Sequence, residues 1–150
     1  MIAPAMPKLR TFLALDSADK LASLEAMALL LYAKLLIARV QPRRWRSQFG
    51  AVAHTNGEAG DIGTVRRVRL AMLRALNNVP GAPNCLPQAL AARWMLQRRG
   101  IEASLFIGTQ VDGTGQPRFH AWLKVGEEWV TGLCDESRYT LLTPSDVHTA

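Results

Sequence analysis

The sequence predicts an α+β fold, in which helices come first and a short antiparallel sheet follows. Up to Gly100, apolar residues recur at the spacing of about 3.6 residues that is typical of helices. After Gly100, apolar and polar residues alternate, as they do in strands. Helices followed by a group of strands are the order of the α+β class. The chain of 150 residues fits one domain, 1–150, with a helical part at about 16–80 and a second part at about 84–142.

Composition indicates a globular protein with an acidic partner. Hydrophobic residues make up 49% of the chain and charged residues 20%, which excludes a disordered chain. The formal net charge of +6 favours nucleic acid, an anionic membrane surface or an acidic peptide, and charge alone does not choose among them. The N-terminus contains Pro4 and Pro7 and does not resemble a signal peptide, and the chain has only two cysteines. We therefore expect a cytoplasmic protein.

The first predicted helix begins at Asp16 or Ser17, both good N-caps, and ends before Pro42. Most residues of this helix are apolar, but Glu25 and Lys34 interrupt the apolar sequence. No uncharged run therefore reaches the roughly 20 residues of a membrane span. We expect a buried helix and no membrane span. The apolar residues at helical spacing, expected to face the core, are Leu21, Leu24, Ala28, Leu31 and Leu35.

A polar, glycine-containing loop is predicted at 52–63, and a second helix at 64–76. The buried stripe expected for this helix consists of Val65, Val68, Met72 and Leu76. Four arginines lie mostly on its other faces, at positions 66, 67, 69 and 74. They form either a solvated basic surface or a contact for a peptide or nucleic acid.

The third helix is predicted to start near Cys85 and to end at Gly100, because glycine is the usual residue at a helix C-terminus. Strands are predicted at 103–109, 119–125 and 128–131. The first two are joined by a loop that contains Asp112-Gly113, and the last two by a tight turn at Gly126.

Cys85 has the position of an activated nucleophile. Asn84 is a good N-cap, which makes Cys85 the first residue of its helix. The partial positive charge at a helix N-terminus favours thiolate over thiol. The N–H groups of that first turn have no intrahelical acceptor, so they could receive an oxyanion. The alternative is a buried structural cysteine.

His120 is the candidate base. Alternation places Phe119, Ala121 and Leu123 on one face of the strand, and His120 with Trp122 on the other. A histidine in an apolar strand needs a partner, and a thiolate would be one; a surface or otherwise hydrogen-bonded histidine is the alternative. The two other histidines are less suitable, since position 54 is in the predicted loop and position 148 in the tail.

A third group should orient the imidazole, as in other Cys-His hydrolases. Asp135, just beyond the third strand, is the candidate, and Asp112 is the rival, although its Asp-Gly context already explains it as a turn residue. The cysteines and histidines show no close ligand pairs of a zinc site, and no phosphate-binding glycine motif is present. The sequence therefore predicts no metal and no cofactor.

Several segments carry a resemblance to a known family. They are Cys85-Leu86-Pro87-Gln88-Ala89-Leu90-Ala91, Leu96-Gln97-Arg98-Arg99-Gly100-Ile101, Leu105-Phe106-Ile107-Gly108, His120-Ala121-Trp122-Leu123 and Val130-Thr131-Gly132. The chain resembles the transglutaminase-like leader peptidases of bacterial lasso-peptide biosynthesis, the B-type maturation proteins. The resemblance spans most of the chain, with specific motifs only from Cys85 to Thr140.

The resemblance implies a single domain with a transglutaminase-like, papain-like core. It implies a cysteine protease that removes the leader from a ribosomally made precursor, with Cys85 as nucleophile and His120 as base. Some relatives carry an aspartate where this chain has Gly132, which leaves the third member of the site between Asp135, Asp112 and none.

The resemblance also implies partners. The precursor peptide is the substrate, and a separate ATP-dependent cyclase acts on the freed core. Longer relatives carry a leader-recognition domain, and here the peptidase pattern follows the first helices at once, so we expect the standalone form and a separate leader-recognition protein. The arginine-bearing segments 43–46 and 66–74 are candidate surfaces for it. Neither nucleic acid nor a membrane span is expected.

Two other functions fit the same residues. The first is a Cys-His acyltransferase of the same superfamily, which would need an amine acceptor. The second is a catalytically silent module that binds a peptide or nucleic acid, whose cysteine and histidine are structural.

Overall fold

The computed structural model of the protein describes residues 5–39, 61–81 and 84–142. Within these residues, four α-helices precede a four-stranded antiparallel sheet, which confirms the predicted α+β class. The helices are α1 (Ala5–Leu13), α2 (Ser17–Arg39), α3 (Ile62–Leu76) and α4 (Cys85–Arg98). The strands are β1 (Ser104–Val111), β2 (Pro117–Val125), β3 (Glu128–Thr131) and β4 (Thr140–Leu141), with a 3₁₀ turn at Glu136–Arg138.

Capping residues mark the starts of α2 and α3 and the end of α4. Asp16 Oδ1 accepts a hydrogen bond from the Asp19 N–H (2.7 Å), so α2 begins at the predicted cap. Asp61 Oδ1 accepts from the Gly63 N–H (3.1 Å), and α3 therefore begins two residues earlier than predicted. Gly100, predicted to end α4, has a φ of 72°. The sequence did not predict α1, and most of the predicted loop at 52–63 lies outside the described residues.

The prediction of which face of α2 is buried is wrong. Leu21 is 67% exposed and Leu24 is 50% exposed. The other members of the predicted stripe are exposed as well. The buried residues are instead Ala22, Ser23, Ala26, Leu30 and Ala33. These side chains are mostly small, and small side chains let the axes of neighbouring helices approach closely. The face rich in alanine therefore packs inward, and the leucines face outward.

By length and composition alone, α2 would suffice to cross a membrane, with a mean hydropathy of 1.8 over its most apolar window. In the structure it packs on other helices. Arg67 Nε lies 2.9 Å from Asp19 Oδ1, which joins α3 to the start of α2. Glu25 accepts two hydrogen bonds from Arg99 Nη1 and Nη2 (3.2 and 2.8 Å), so α2 also holds the end of α4.

The other end of α2 holds the segment that leads into α4. Lys34 Nζ donates to the carbonyl oxygens of Pro80 (2.9 Å) and Gly81 (3.2 Å). The rings of Tyr32 and Trp94 lie 5.6 Å apart. Together with the Glu25 contacts, these interactions fix the position of α4, whose first residue is the candidate nucleophile.

The arginines of α3 make contacts within the chain. Arg66 and Arg69 lie 3.6 and 3.8 Å from the Glu128 carboxylate, and Arg69 also donates to the carbonyl of Trp129 (2.9 Å). Arg74 Nη1 donates to Ser23 Oγ (3.4 Å). These contacts connect α3 to β3 and to α2. The use of segment 66–74 as a partner surface stays a prediction, and segment 43–46 lies outside the described residues.

The sheet has the order β3-β2-β1-β4, and β2 lies between β3 and β1. Ala121 and Leu123 of β2 belong to the hydrophobic core that the helices share. Trp122 points to the other face, where it stacks on Phe106 of β1 at 5.7 Å between ring centroids. The predicted alternation is present at residues 121–123, but Phe119, predicted to share the face of Ala121 and Leu123, is 59% exposed. The strand β4, only two residues long, was not predicted from the sequence.

Candidate active site

Cys85 is the first residue of α4, as predicted. Asn84 has the extended backbone of an N-cap (φ −61°, ψ 165°), although its side chain makes no capping hydrogen bond. The Cys85 side chain is half-buried and packs against the hydrophobic core. The N–H groups of this first turn have no acceptor within the helix, and Pro87 has no N–H at all. The first turn of α4 thus begins at Cys85 with N–H groups that are able to donate to a ligand oxygen.

His120 is held by a backbone carbonyl. Its Nε2 atom lies 2.8 Å from the carbonyl oxygen of Gly132. A carbonyl oxygen only accepts hydrogen bonds, so this contact assigns the proton to Nε2 in the neutral ring. The Nδ1 atom then carries the lone pair and is the atom able to accept a proton.

Two aromatic rings fix the plane of the imidazole. The ring centroid of Tyr139 lies 5.5 Å from that of His120, and the centroid of Trp122 lies 5.9 Å away, with interplanar angles of 30° and 24°. Trp122 is itself anchored, because its Nε1 donates to Glu136 Oε1 (2.9 Å). Lys124 Nζ donates to the other Glu136 oxygen (3.3 Å). The imidazole therefore lies in a preorganised aromatic setting.

Gly108 makes room for this arrangement. It pairs with His120 across β1 and β2. A Cβ at Gly108 would lie 2.7 Å from Tyr139 Cβ and 2.9 Å from Trp122 Cη2. Only glycine lets both rings pack beside the histidine.

Gly132 is required for two reasons. Its φ of 73° lies in the left-handed region that side chains rarely adopt. A Cβ there would also clash with the Ala121 carbonyl oxygen and would lie 2.9 Å from Trp122 Cβ. This backbone conformation presents the carbonyl oxygen to His120.

Within the described residues, Cys85 and His120 make no direct interaction with each other. Cys85 packs against the hydrophobic core at the start of α4, whereas the contacts of His120 are with Trp122, Tyr139 and the Gly132 carbonyl. In the described part of the chain, no hydrogen bond connects the Cys85 Sγ to the imidazole.

Asp135 hydrogen bonds to its own turn. Its Oδ1 accepts from Ser137 Oγ (2.6 Å) and from the Ser137 N–H (3.2 Å), which makes it the cap of the 3₁₀ turn. These hydrogen bonds lower the pKa of the Asp135 carboxyl, the one from the Ser137 hydroxyl most. The side chain is exposed, and none of these hydrogen bonds goes to His120.

Asp112 organises the loop between β1 and β2. Its Oδ1 accepts from the N–H groups of Thr114 (2.8 Å) and Gln116 (3.1 Å), and its Oδ2 accepts from Arg118 Nε (3.0 Å). These contacts, with the Thr114 hydroxyl contributing most, lower the pKa of Asp112 to about 2. Asp112 is a turn residue, as its Asp-Gly context indicates.

Cys134 lies close to the candidate site in sequence and is half-buried. Burial raises the pKa of the Cys134 thiol, and the nearby Glu136 and Asp135 carboxylates raise it further. Such a thiol is a weak nucleophile at neutral pH. Among the residues that the structure describes, no group of three histidine, cysteine or acidic side chains could hold a metal.

An open depression lies beside the aromatic cluster, at the edge of the sheet. Its volume is about 440 Å³, and its lining is Thr109, Gln110, Val111, Arg138 and Thr140. Gln110 Nε2 donates to the Tyr139 hydroxyl (3.3 Å), so this depression adjoins the ring that stacks on His120.

Sequence reasoning missed the Gly132 carbonyl, Tyr139 and Glu136. A backbone carbonyl has no side-chain signature, so the only available signal was the place of Gly132 where some relatives have an aspartate. Tyr139 and Glu136 reach the site through the 3₁₀ turn, which no sequence period indicates.

Comparison with family models places most of the chain in one family. The model described as the transglutaminase-like superfamily matches residues 27–143. Comparison with curated proteins and with solved structures found no match.

Proposed function

The chain belongs to the transglutaminase-like superfamily, and on that premise we propose that it is a cysteine peptidase that removes the leader from a ribosomally made lasso-peptide precursor. The superfamily usually contains cysteine-dependent hydrolases or transferases. The narrower proposal, a leader peptidase, is supported by the Cys85 and His120 segments, which resemble those of the leader peptidases in motif and in order along the chain.

One observation carries the proposal. The hydrogen bond of 2.8 Å between His120 Nε2 and the Gly132 carbonyl leaves Nδ1 as the basic atom of the ring. A histidine that is oriented through one nitrogen and basic at the other is the arrangement a Cys-His hydrolase needs. Cys85, at the positive end of α4, is the matching nucleophile.

The proposal requires His120 Nδ1 to come within hydrogen-bond distance of Cys85 Sγ in the substrate complex. Catalytic hydrogen bonds are often long or poorly aligned without substrate and become short only when it binds. Because the described contacts of the two side chains are separate, the first turn of α4 or the His120 side chain has to rearrange when the substrate binds. The substrate then lies between the helix and the strand.

In the proposed reaction, His120 Nδ1 takes the Cys85 proton and the thiolate attacks the carbonyl carbon of the leader–core peptide bond. The oxyanion is held by N–H groups of the first turn of α4. The carbon–nitrogen bond breaks, His120 protonates the leaving amine, and the core departs with a free N-terminus. Water then attacks the thioester, releases the leader as a free acid and returns the proton to Cys85.

The Gly132 carbonyl takes the orienting role in this proposal. A neutral carbonyl fixes the ring and its tautomer, as a carboxylate would. It stabilises the imidazolium less, because it carries only a partial negative charge. Asp135 is left with its capping contact to Ser137.

The proposed setting is the bacterial cytoplasm. The precursor peptide is the substrate, a separate leader-recognition protein delivers it, and an ATP-dependent cyclase acts on the freed core. These partners follow from the resemblance of the Cys85 and His120 segments to the family.

Product analysis in water labelled with heavy oxygen tests the proposal. The purified protein is mixed with the precursor encoded nearest its gene, with and without the neighbouring small leader-binding protein. We expect a leader whose C-terminal carboxylate has gained one heavy oxygen atom, and faster release when the partner is present. A second reaction also contains a small primary amine. A leader joined to that amine, with no heavy oxygen, would instead assign the acyltransferase function.

A further inference from the structure

The outer face of α2 carries a row of exposed leucines. Leu21 is 67% exposed, Leu24 50%, Leu31 44% and Leu35 56%, and Ala28 is exposed between them. Because these side chains lie along one face of the helix, they form a continuous apolar surface and not a set of isolated exposed residues. The residues of this row, called here the α2 seam, are Leu21, Leu24, Ala28, Leu31 and Leu35.

The spacing of the α2 seam is that of a coiled coil. Its members are separated alternately by three and four residues, which is the a and d pattern of the heptad repeat. At a rise of about 1.5 Å per residue, the seam is about 21 Å long. Of the exposed large apolar side chains of α2, only Tyr32 lies outside the a and d positions, and its ring contacts Trp94. This stripe is narrower than the apolar face by which a helix packs on a globular core or lies in a membrane surface. The pattern therefore favours another helix as the occupant.

The charges beside the seam indicate which helix fits. Lys20 and Arg39 flank its two ends, and the side chain of Arg98, 68% exposed, lies at its edge beside Glu25. The Glu25 carboxylate is already shared between Arg98 and Arg99. The flanks are basic, and the whole chain has a formal charge of +6. A second copy of this chain would bring like charges together, whereas acidic flanks on a partner would be complementary.

We propose that the α2 seam docks an amphipathic helix of a different protein, with leucine-like residues at its a and d positions and acidic residues at its flanks. The inference goes beyond the peptidase proposal, since it concerns a binding surface and does not require Cys85 to react. The contacts of α2 with Arg99, Trp94 and Pro80 place this surface on the helix that supports α4.

The test uses a designed probe. It is a fluorescent three-heptad peptide with leucine at a and d and glutamate at e and g, and a matched peptide carries lysine in place of glutamate. Binding to the intact protein is followed by fluorescence anisotropy at two salt concentrations. We expect the acidic peptide to bind, to bind more weakly at high salt because of screening, and to bind at least tenfold more tightly than the basic one.

Matched variants locate the site. Leu24→Gln/Leu31→Gln alters two seam leucines, and Leu70→Gln/Leu73→Gln alters two leucines of similar exposure on α3, at 48% and 52%. Circular dichroism confirms that each variant is folded. We expect at least a tenfold loss of affinity in the seam variant and no change in the α3 variant.

Three results would overturn the proposal. They are failure of the wild-type protein to bind the acidic peptide, equal binding by the seam variant, and self-association of the wild-type protein, seen by sedimentation, that the seam variant abolishes. The last result would assign the surface to a second copy of this chain.

Discussion

The Nε2 atom of His120 lies 2.8 Å from the carbonyl oxygen of Gly132, so a backbone group holds the imidazole where a carboxylate was expected. The backbone presents this oxygen only because residue 132 is a glycine with a φ of 73°. Orientation of the candidate base therefore depends on a residue that has no side chain.

Gly132→Ala should destabilise the protein more than the same change at a glycine without close neighbours. Gly100 is the matched control, because its φ is 72° and a Cβ there would meet nothing within 4 Å. We expect Gly100→Ala to lower the free energy of unfolding by about 1–2 kcal/mol, from backbone strain alone. At Gly132 the clash with the Ala121 carbonyl adds about 1–3 kcal/mol. Urea denaturation measures both, and equal losses would contradict the packing described around Gly132.

Asp135→Asn should leave cleavage of the precursor within about twofold of wild type, a change too small for loss of a catalytic group. The reason is that Asp135 bonds to Ser137 and not to His120. Ser137→Ala removes the same turn contact and serves as the control. Measured kcat/KM values should be similar in the two variants. A large loss confined to Asp135→Asn would return this residue to the catalytic group.

Alkylation should distinguish the two cysteines. Burial and neighbouring carboxylates raise the pKa of the Cys134 thiol, whereas Cys85 lies at the positive end of α4. We expect iodoacetamide at neutral pH to modify Cys85 at least tenfold faster, as measured by peptide mass spectrometry. Cys134→Ser should retain this reactivity. Preferential labelling of Cys134 would contradict the assignment of Cys85 as the nucleophile.

Asp112 should make stability depend on pH in the acid range. Its pKa is about 2 in the folded protein, against 3.8 for an unperturbed aspartate. Because the folded value is the lower one, the stabilisation is fully present above about pH 4 and is lost as the pH falls through about 2. The difference in Tm between wild type and Asp112→Asn should therefore shrink from pH 5 to pH 2. A difference that does not change with pH would contradict the role of the ionised carboxylate.

The sequence was sufficient to predict helices that begin at a capping residue and strands in which apolar and polar residues alternate. The start of α4 at Cys85 followed from Asn84 and Pro87, and the strand around His120 followed from alternation. The buried face of α2 did not follow, because alanine and leucine rows both recur at helical spacing and only packing against α3 and α4 selects between them.

The candidate site was predictable only in its side chains. Cys85 and His120 could be proposed from their types and positions. The described residues show no hydrogen bond between them, and the proposal expects that bond to form in the substrate complex. The Gly132 carbonyl could not be predicted, since every residue has a carbonyl and only tertiary structure decides which one faces His120. Tyr139 was missed for a similar reason, because its contact depends on the turn that Asp135 caps.

Cleavage of the precursor by matched cysteine variants tests the central claim most directly. Mass spectrometry would follow leader release by wild type, Cys85→Ala, His120→Ala and Cys134→Ala, with the leader-binding partner present. We predict clean release by wild type and by Cys134→Ala, and loss of at least a thousandfold in the Cys85 and His120 variants. Cleavage that survives Cys85→Ala would contradict the account and would favour a binding module whose cysteine is structural.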